Sequence, residues 1–235
     1  MRILLWDIDG TLMRSAKNGS YKDYTIPVLE EIFGTSGRLS DMRVSGMTDL
    51  QIIFEALAET EISQDEIRAQ IDRLSVRITE EARRVATGNG SPFFELLPGV
   101  RETLQALDEH PRYRSALLTG NIAPMAELKM ELMGLSQFFT LPGAFGEESH
   151  IRRNLPALAA ERIRAALGVN VPPEHFIVIG DTPNDIDCGR HFGARTVAVG
   201  TGRFYSREEI LASEPDAVLP DLSNTDLVIE TLAKL

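Results

Sequence analysis

The chain has 235 residues, 43% hydrophobic and 25% charged, the balance of an ordinary globular protein with one large domain or a domain carrying an insertion. Acidic side chains outnumber basic ones by 35 to 24, and the net charge of −11 repels nucleic-acid phosphates and anionic membranes; Arg83-Arg84 and Arg152-Arg153 are pairs, not a patch that could oppose it. One cysteine, Cys188, excludes an internal disulfide, and no apolar run reaches the ~20 residues that a membrane-spanning helix needs.

In chain order, residues 3–6 form a short apolar run ending in Asp7-Ile8-Asp9-Gly10-Thr11, the pattern of a strand buried on both faces, with Trp6 as plain core. The run is too short for a secretory signal, so a cytoplasmic protein is expected, with neither nucleic acid nor membrane as partner. From about residue 15 to residue 95 no strand pattern appears. Helical spacing takes over, with Ile53, Phe54 and Leu57 in one set and Ile67, Ile71, Leu74 and Ile78 in another. Gly88-Asn89-Gly90-Ser91-Pro92 then reads as a flexible connection. This predicts a helical insert over the site, joined by two hinges and able to exclude water as a lid.

Val100, Leu104 and Leu107 share a helical face after Pro98-Gly99. Residues 115–118 predict a strand running into Thr119-Gly120-Asn121, and Met125, Leu128, Leu132 and Met133 mark the helix that follows. Arg152-Arg153-Asn154-Leu155-Pro156 leads into a third helix, marked by Leu158, Ile163 and Leu167 and ended at Gly168. Residues 176–179 predict a strand before Gly180-Asp181-Thr182-Pro183-Asn184-Asp185, and residues 196–199 another before Gly200-Thr201-Gly202. Alternating strands and helices imply an α/β fold with a Rossmann-like parallel sheet covered by helices on both faces. The core is expected to comprise residues 1–14 and 96–235, with an α-helical cap inserted at 15–95.

Ligands of such sheets bind beyond the carboxyl ends of the strands, where the polar clusters fall. Asp7 and Asp9, with Gly10 allowing a tight turn, can share a hard cation. Magnesium takes one or two carboxylates together with a substrate phosphate. One carboxylate can then attack phosphorus while the other exchanges a proton with the leaving oxygen. Asp181 and Asp185 form a second acidic strand end; capping of the next helix would explain Asp181 alone, but not a matched pair of acidic ends. Thr119, Gly120 and Asn121 offer a hydroxyl and free amides at a helix N-terminus, a phosphate-binding corner or an ordinary turn. Arg152 and Arg153 offer a phosphate-binding cation or a solvated pair. Arg43, Ser45, Gly46, Thr48 and Asp49 form a polar loop that either reads the leaving group or, through Thr48 or Asp49, caps a helix. His110, His150, His175 and His191 are dispersed, without metal-ligand spacing.

Taken in order, these elements resemble the haloacid dehalogenase superfamily of phosphohydrolases. Asp7-Ile8-Asp9-Gly10-Thr11-Leu12 resembles its first motif, Thr119-Gly120-Asn121 its second and Gly180-Asp181-Thr182-Pro183-Asn184-Asp185 its fourth, with Arg153, or else Arg152, as the third-motif cation. The helical insert lies where the phosphoglycolate-phosphatase-like branch carries a cap. The resemblance implies that Asp7 is the nucleophile, forming a phosphoaspartate, and a metal ligand. It makes Asp9 the general acid/base, binding metal through its main-chain carbonyl. Thr119 and Arg153 would hold the phosphoryl group, Asn121 would orient the phosphate or the nucleophile, Asp181 would ligate Mg2+ directly, and Asp185 would support it. Dehalogenases lack a carboxylate at the position of Asp9, and phosphonate-cleaving members use a cap lysine instead. With Asp9 present, Lys17 and Lys22 read as surface residues.

The expected protein is therefore a magnesium-dependent phosphatase of a small phosphorylated metabolite, with Arg43, Thr48, Gly120 and Asn121 against the substrate. A sugar-phosphate mutase resembling beta-phosphoglucomutase shares these motifs and is the nearest alternative. A phospho-accepting signalling domain needs neither the length nor the insert, and a silent binding protein would be expected to have lost Asp7 or Asp9.

Overall fold

The computed structural model describes residues 1–16, 19–88 and 92–235; Lys17 and the Asn89-Gly90-Ser91 part of the expected connection lie outside these residues. At its centre is a five-stranded sheet in the order β4-β1-β5-β6-β7, with every pairing parallel. The strands are β1 (Arg2–Trp6), β4 (Tyr113–Leu117), β5 (Phe176–Gly180), β6 (Arg195–Val199) and β7 (Ala217–Leu219), and β2 and β3 belong to a separate ribbon. Side chains alternate across β1. Leu4 and Trp6 enter one apolar cluster while Ile3 and Leu5 enter another on the opposite face, as a sheet covered on both sides requires. The register sets Trp6 against Leu117 and Ile179, so the chain leaves β1, β4 and β5 at one level.

The helices of this layer are α5 (Val100–Glu109), α6 (Ala123–Met133), α7 (Leu155–Leu167), α8 (Pro183–Phe192), α9 (Arg207–Ala212) and α10 (Thr225–Lys234). Helix α7 begins with Pro156 in its first turn and ends at Gly168, whose φ of 68° is the left-handed geometry of a helix stop. Its buried residues Leu155, Ala159 and Ile163 pack against Ile3, Leu5 and Val178.

Between residues 15 and 95 lie α1 (Lys22–Phe33), α2 (Asp49–Leu57), α3 (Gln64–Ala69) and α4 (Ile71–Gly88). The spacing that reads as one helix through Ile67 and Ile78 is broken at Gln70. Ser63 and Glu66 form a reciprocal capping box on α3, and α4 starts afresh at Ile71. Two short strands that the pattern does not predict straddle the ends of this stretch. β2 (Met13–Ser15) and β3 (Phe94–Leu96) pair antiparallel, Met13 with Leu96 and Ser15 with Phe94. Chain leaving and returning is thus stapled side by side. Among the described residues no helix is long and apolar enough to cross a membrane.

Candidate active site

The chain ends of β1, β4 and β5 open onto a cavity of about 380 Å³ lined by Asp7, Asp9, Thr119, Gly120, Asn121 and Asp181 from the sheet side and by Arg43, Ser45, Gly46 and Asp49 from the insert. Asp7 is buried, and its amide donates to the Ile179 carbonyl at 2.9 Å, extending the sheet one residue past β1. Gly10 then turns the chain with φ of 93°, where a Cβ would lie 2.3 Å from Asp181 Oδ2; only glycine lets the two acidic loops approach so closely.

Asp7, Asp181 and Asp185 are all buried, with one carboxylate oxygen of each within 4.8 Å of the others. The Asp185 Oδ2 accepts from both the amide (3.0 Å) and the hydroxyl (2.7 Å) of Thr182, so Thr182 and Asp185 share the N-terminus of α8 and Asp181 is not its cap. Asp181 accepts instead from the Thr11 hydroxyl at 3.2 Å. Burial, then repulsion from Asp185, pushes Asp7 up to about 7 in spite of Arg152. Burial and repulsion from Asp7 and Asp185 hold Asp181 well above the usual carboxylate range. A convergence of hard, buried oxygen donors that resist ionising together is a donor set suited to a divalent cation.

Arg153, the expected phosphate-binding cation, is placed elsewhere. It faces outward and forms a two-pronged pair with Asp187 at 2.6 and 2.7 Å. The neighbouring Arg152 is the buried one; its Nη2 donates to Asp7 Oδ1 at 2.9 Å and to Asp185 Oδ1 at 2.5 Å. The short 3-10 turn Arg152–Asn154 ahead of α7 points successive side chains in different directions, which leaves one guanidinium buried and the next exposed.

Asp9 departs from the shared-cation expectation of paired side chains. Its carboxylate lies outside the acidic cluster and accepts at Oδ2 from Lys129 Nζ (2.6 Å) and Asn121 Nδ2 (2.7 Å). Asn121 Nδ2 also reaches the buried Thr119 hydroxyl at 2.7 Å. Lys129, on α6, escaped the sequence reading. The available signal was its place four residues after Met125, on the face shared with Leu128 and Leu132.

Residues between β2 and β3 divide in the same way. Thr48 is fully buried, is absent from the cavity lining, and caps α2 by accepting from the Gln51 amide at 3.2 Å, so the structure places it as a helix cap. Arg43 does line the cavity, its guanidinium 4.1 Å from the centre of the Tyr205 ring. Lys22, read as a surface residue, also lines it, with Nζ donating to the Ser40 carbonyl at 2.6 Å. The loop before α2 is tied to the sheet side. The Gly46 carbonyl accepts from Asn184 Nδ2 at 2.8 Å, and the Asp49 amide donates to the Gly120 carbonyl at 2.7 Å. Asp49 also accepts from the Ile122 amide at 2.8 Å, and burial pushes its carboxyl up to about 7.

A family model for haloacid dehalogenase-like hydrolases matches residues 1–193. A protein named pyrophosphatase PpaX from Halalkalibacterium halodurans is 33% identical over 130 residues, covering 53% of this chain and 56% of that one, so the match spans about half the length of that relative. The protein of the same name from Oceanobacillus iheyensis is 21% identical over 230 residues, 97% of either chain. Among solved structures, one described as a predicted phosphoglycolate phosphatase from Haemophilus somnus is similar with a TM-score of 0.67 at 20% identity, over 97% of each chain, a likeness of fold. With the family model covering residues 1–193 and the acidic loops of Asp7 and Asp181 gathered at the strand ends, the chain belongs to the haloacid dehalogenase-like hydrolases and is an enzyme of that family.

Proposed function

We propose that the protein is a magnesium-dependent phosphatase that cleaves a small organic phosphate monoester through a phosphoaspartate on Asp7, with residues 15–95 acting as a cap. The observation that carries this reading is the placement of Asp7, buried at the cavity floor against Asp181, Asp185 and Arg152. Asp7, Asp181 and Asp185, with the Asp9 main-chain carbonyl, would hold Mg2+. When bound it supplies positive charge that keeps Asp7 ionised at neutral pH and offsets charge on the phosphoryl oxygens.

An Asp7 carboxylate oxygen forms a bond to phosphorus as the bond from phosphorus to the ester oxygen breaks, and Asp9 gives that oxygen its proton. Asp9 then takes a proton from water as the water oxygen attacks the aspartyl phosphate, returning Asp7 and releasing phosphate. Arg152 and the Thr119 hydroxyl hold the transferring group throughout. A cavity of about 380 Å³, walled in part by the cap, favours a small metabolite over a phosphoprotein.

Arg14, Lys22, Arg43 and Arg203 also line this cavity in a chain of net charge −11. Together with relatives named pyrophosphatase, they favour a second reading in which the leaving group is itself a phosphate. The test is magnesium-dependent phosphate release from a panel of phosphoglycolate, sugar phosphates, nucleoside monophosphates, pyrophosphate and an aryl phosphate, for wild type and Asp7→Asn. Release that the substitution abolishes supports the phosphatase, and the rank order separates the two leaving groups. Release that survives Asp7→Asn overturns the nucleophile. Isomerised sugar phosphate without free phosphate overturns the hydrolase in favour of the mutase.

A further inference from the structure

The ammonium of Lys129 is buried beside the cavity, with its side chain only 2% exposed. A buried ammonium is tolerated only where its hydrogen bonds are met. Its partners are Asp9 Oδ2 at 2.6 Å and Asn121 Oδ1 at 2.7 Å, with the Phe94 ring centre 5.5 Å away. Asn121 Nδ2 donates to the same Asp9 oxygen at 2.7 Å. Asp9, Asn121 and Lys129 therefore close a ring of hydrogen bonds from two loop ends and one helix.

A free carboxylate is two-fold symmetric, and either oxygen can carry the proton. In Asp9 that symmetry is broken. Oδ2 receives N–H groups of an ammonium and an amide, neither of which has a lone pair to accept a proton in return. Oδ1 has no hydrogen-bond partner among the described residues, and the Asp9 side chain is 43% exposed within the cavity lining. From this geometry we propose that Lys129 is a positioning residue: it pins Asp9 Oδ2 so that Oδ1 is the oxygen that passes the proton to the ester oxygen and takes one from water. The inference rests on the reading of Asp9 as the acid and base of the reaction.

Proton delivery matters most when the leaving oxygen is a poor one, which gives a test that a merely structural role would not pass. Phosphate release is measured on an alkyl ester, glycerol 3-phosphate, and on an aryl ester, p-nitrophenyl phosphate, for wild type, Lys129→Met, Asp9→Asn and the double variant. The expected result is a fall in kcat for Lys129→Met that is about tenfold larger on the alkyl than on the aryl ester, with KM little changed. On the Asp9→Asn background the lysine substitution then costs nothing further. Equal losses on both esters, a second full loss in the double variant, or wild-type kcat on both esters would overturn the proposal. Should Lys129→Met not fold, Lys129→Arg and Lys129→Gln are judged on the same esters by the same criteria. Asp9→Asn at wild-type rate on the alkyl ester defeats the reading of Asp9 itself. A slow Asp9→Asn beside an unimpaired lysine variant defeats only the role of Lys129.

Discussion

Arg152 Nη2 lies 2.9 Å from Asp7 Oδ1 at the floor of the cavity, while the side chain of the next residue, Arg153, turns to the surface and pairs with Asp187. Arg152→Ala is expected to lower kcat by about a hundredfold or more, the cost of losing a donor aimed at developing charge. Arg153→Ala removes only an exposed ion pair and should leave kcat within about twofold. Steady-state phosphate release decides between them, and comparable losses in the two variants would refute the assignment.

If Asp7 holds Mg2+ as proposed, metal and pH are linked through it. Its carboxyl stands at about 7 in the fold against an ordinary 3.8, so the folded protein binds that proton more tightly than the unfolded chain. The stability this contributes is complete below about pH 4 and is lost as pH rises through about 7. Without metal, the melting temperature of wild type minus that of Asp7→Asn should therefore fall between about pH 5 and pH 8. Added Mg2+ should raise the melting temperature of wild type at about pH 8, less so at about pH 5, and Asp7→Asn should respond weakly. Thermal melts over that range, with and without Mg2+, are the check; a difference that rises with pH would contradict the ionisation of Asp7.

Gly120 is where the two sides of the cavity touch. A Cβ there would sit 2.1 Å from the Met47 carbonyl oxygen, and that atom belongs to backbone. Gly120→Ala must therefore push the loop before α2 away from the sheet, at a cost of about 1–3 kcal/mol by overpacking. Denaturant melts should record that loss, and KM should rise as Arg43 and Ser45 lose their place.

Core packing can be separated from chemistry at Ile163, which is fully buried in the cluster with Ile3, Leu5 and Val178. Ile163→Ala should cost about 2–5 kcal/mol in a urea titration. The same variant should keep kcat near that of wild type at a temperature where it remains folded.

Much of this architecture was readable because buried parallel strands show as unbroken apolar runs. Residues 3–6 and 176–179 stand out for that reason, and the acidic groups after them fall at one level of the sheet. The β2–β3 ribbon was not readable. Met13-Arg14-Ser15 and Phe94-Glu95-Leu96 are each three residues long, too short for alternation to register, and their pairing depends on contact across the whole insert. The choice between Arg152 and Arg153 turned on the local 3-10 geometry, which no spacing rule fixes. Lys129 was hidden for a different reason. A lysine on an otherwise apolar helical face reads as an interruption until its partners, Asp9 and Asn121, arrive from elsewhere in the chain.

The pairing of Met13 with Leu96 sets where the chain between them leaves and returns. Chain departs from the sheet and comes back at neighbouring points, so the excursion between them makes little demand on strand order or register. Asp9 bridges to Met13 beside this doorway, so the loop that carries Asp7 and Asp9 is anchored where the excursion begins.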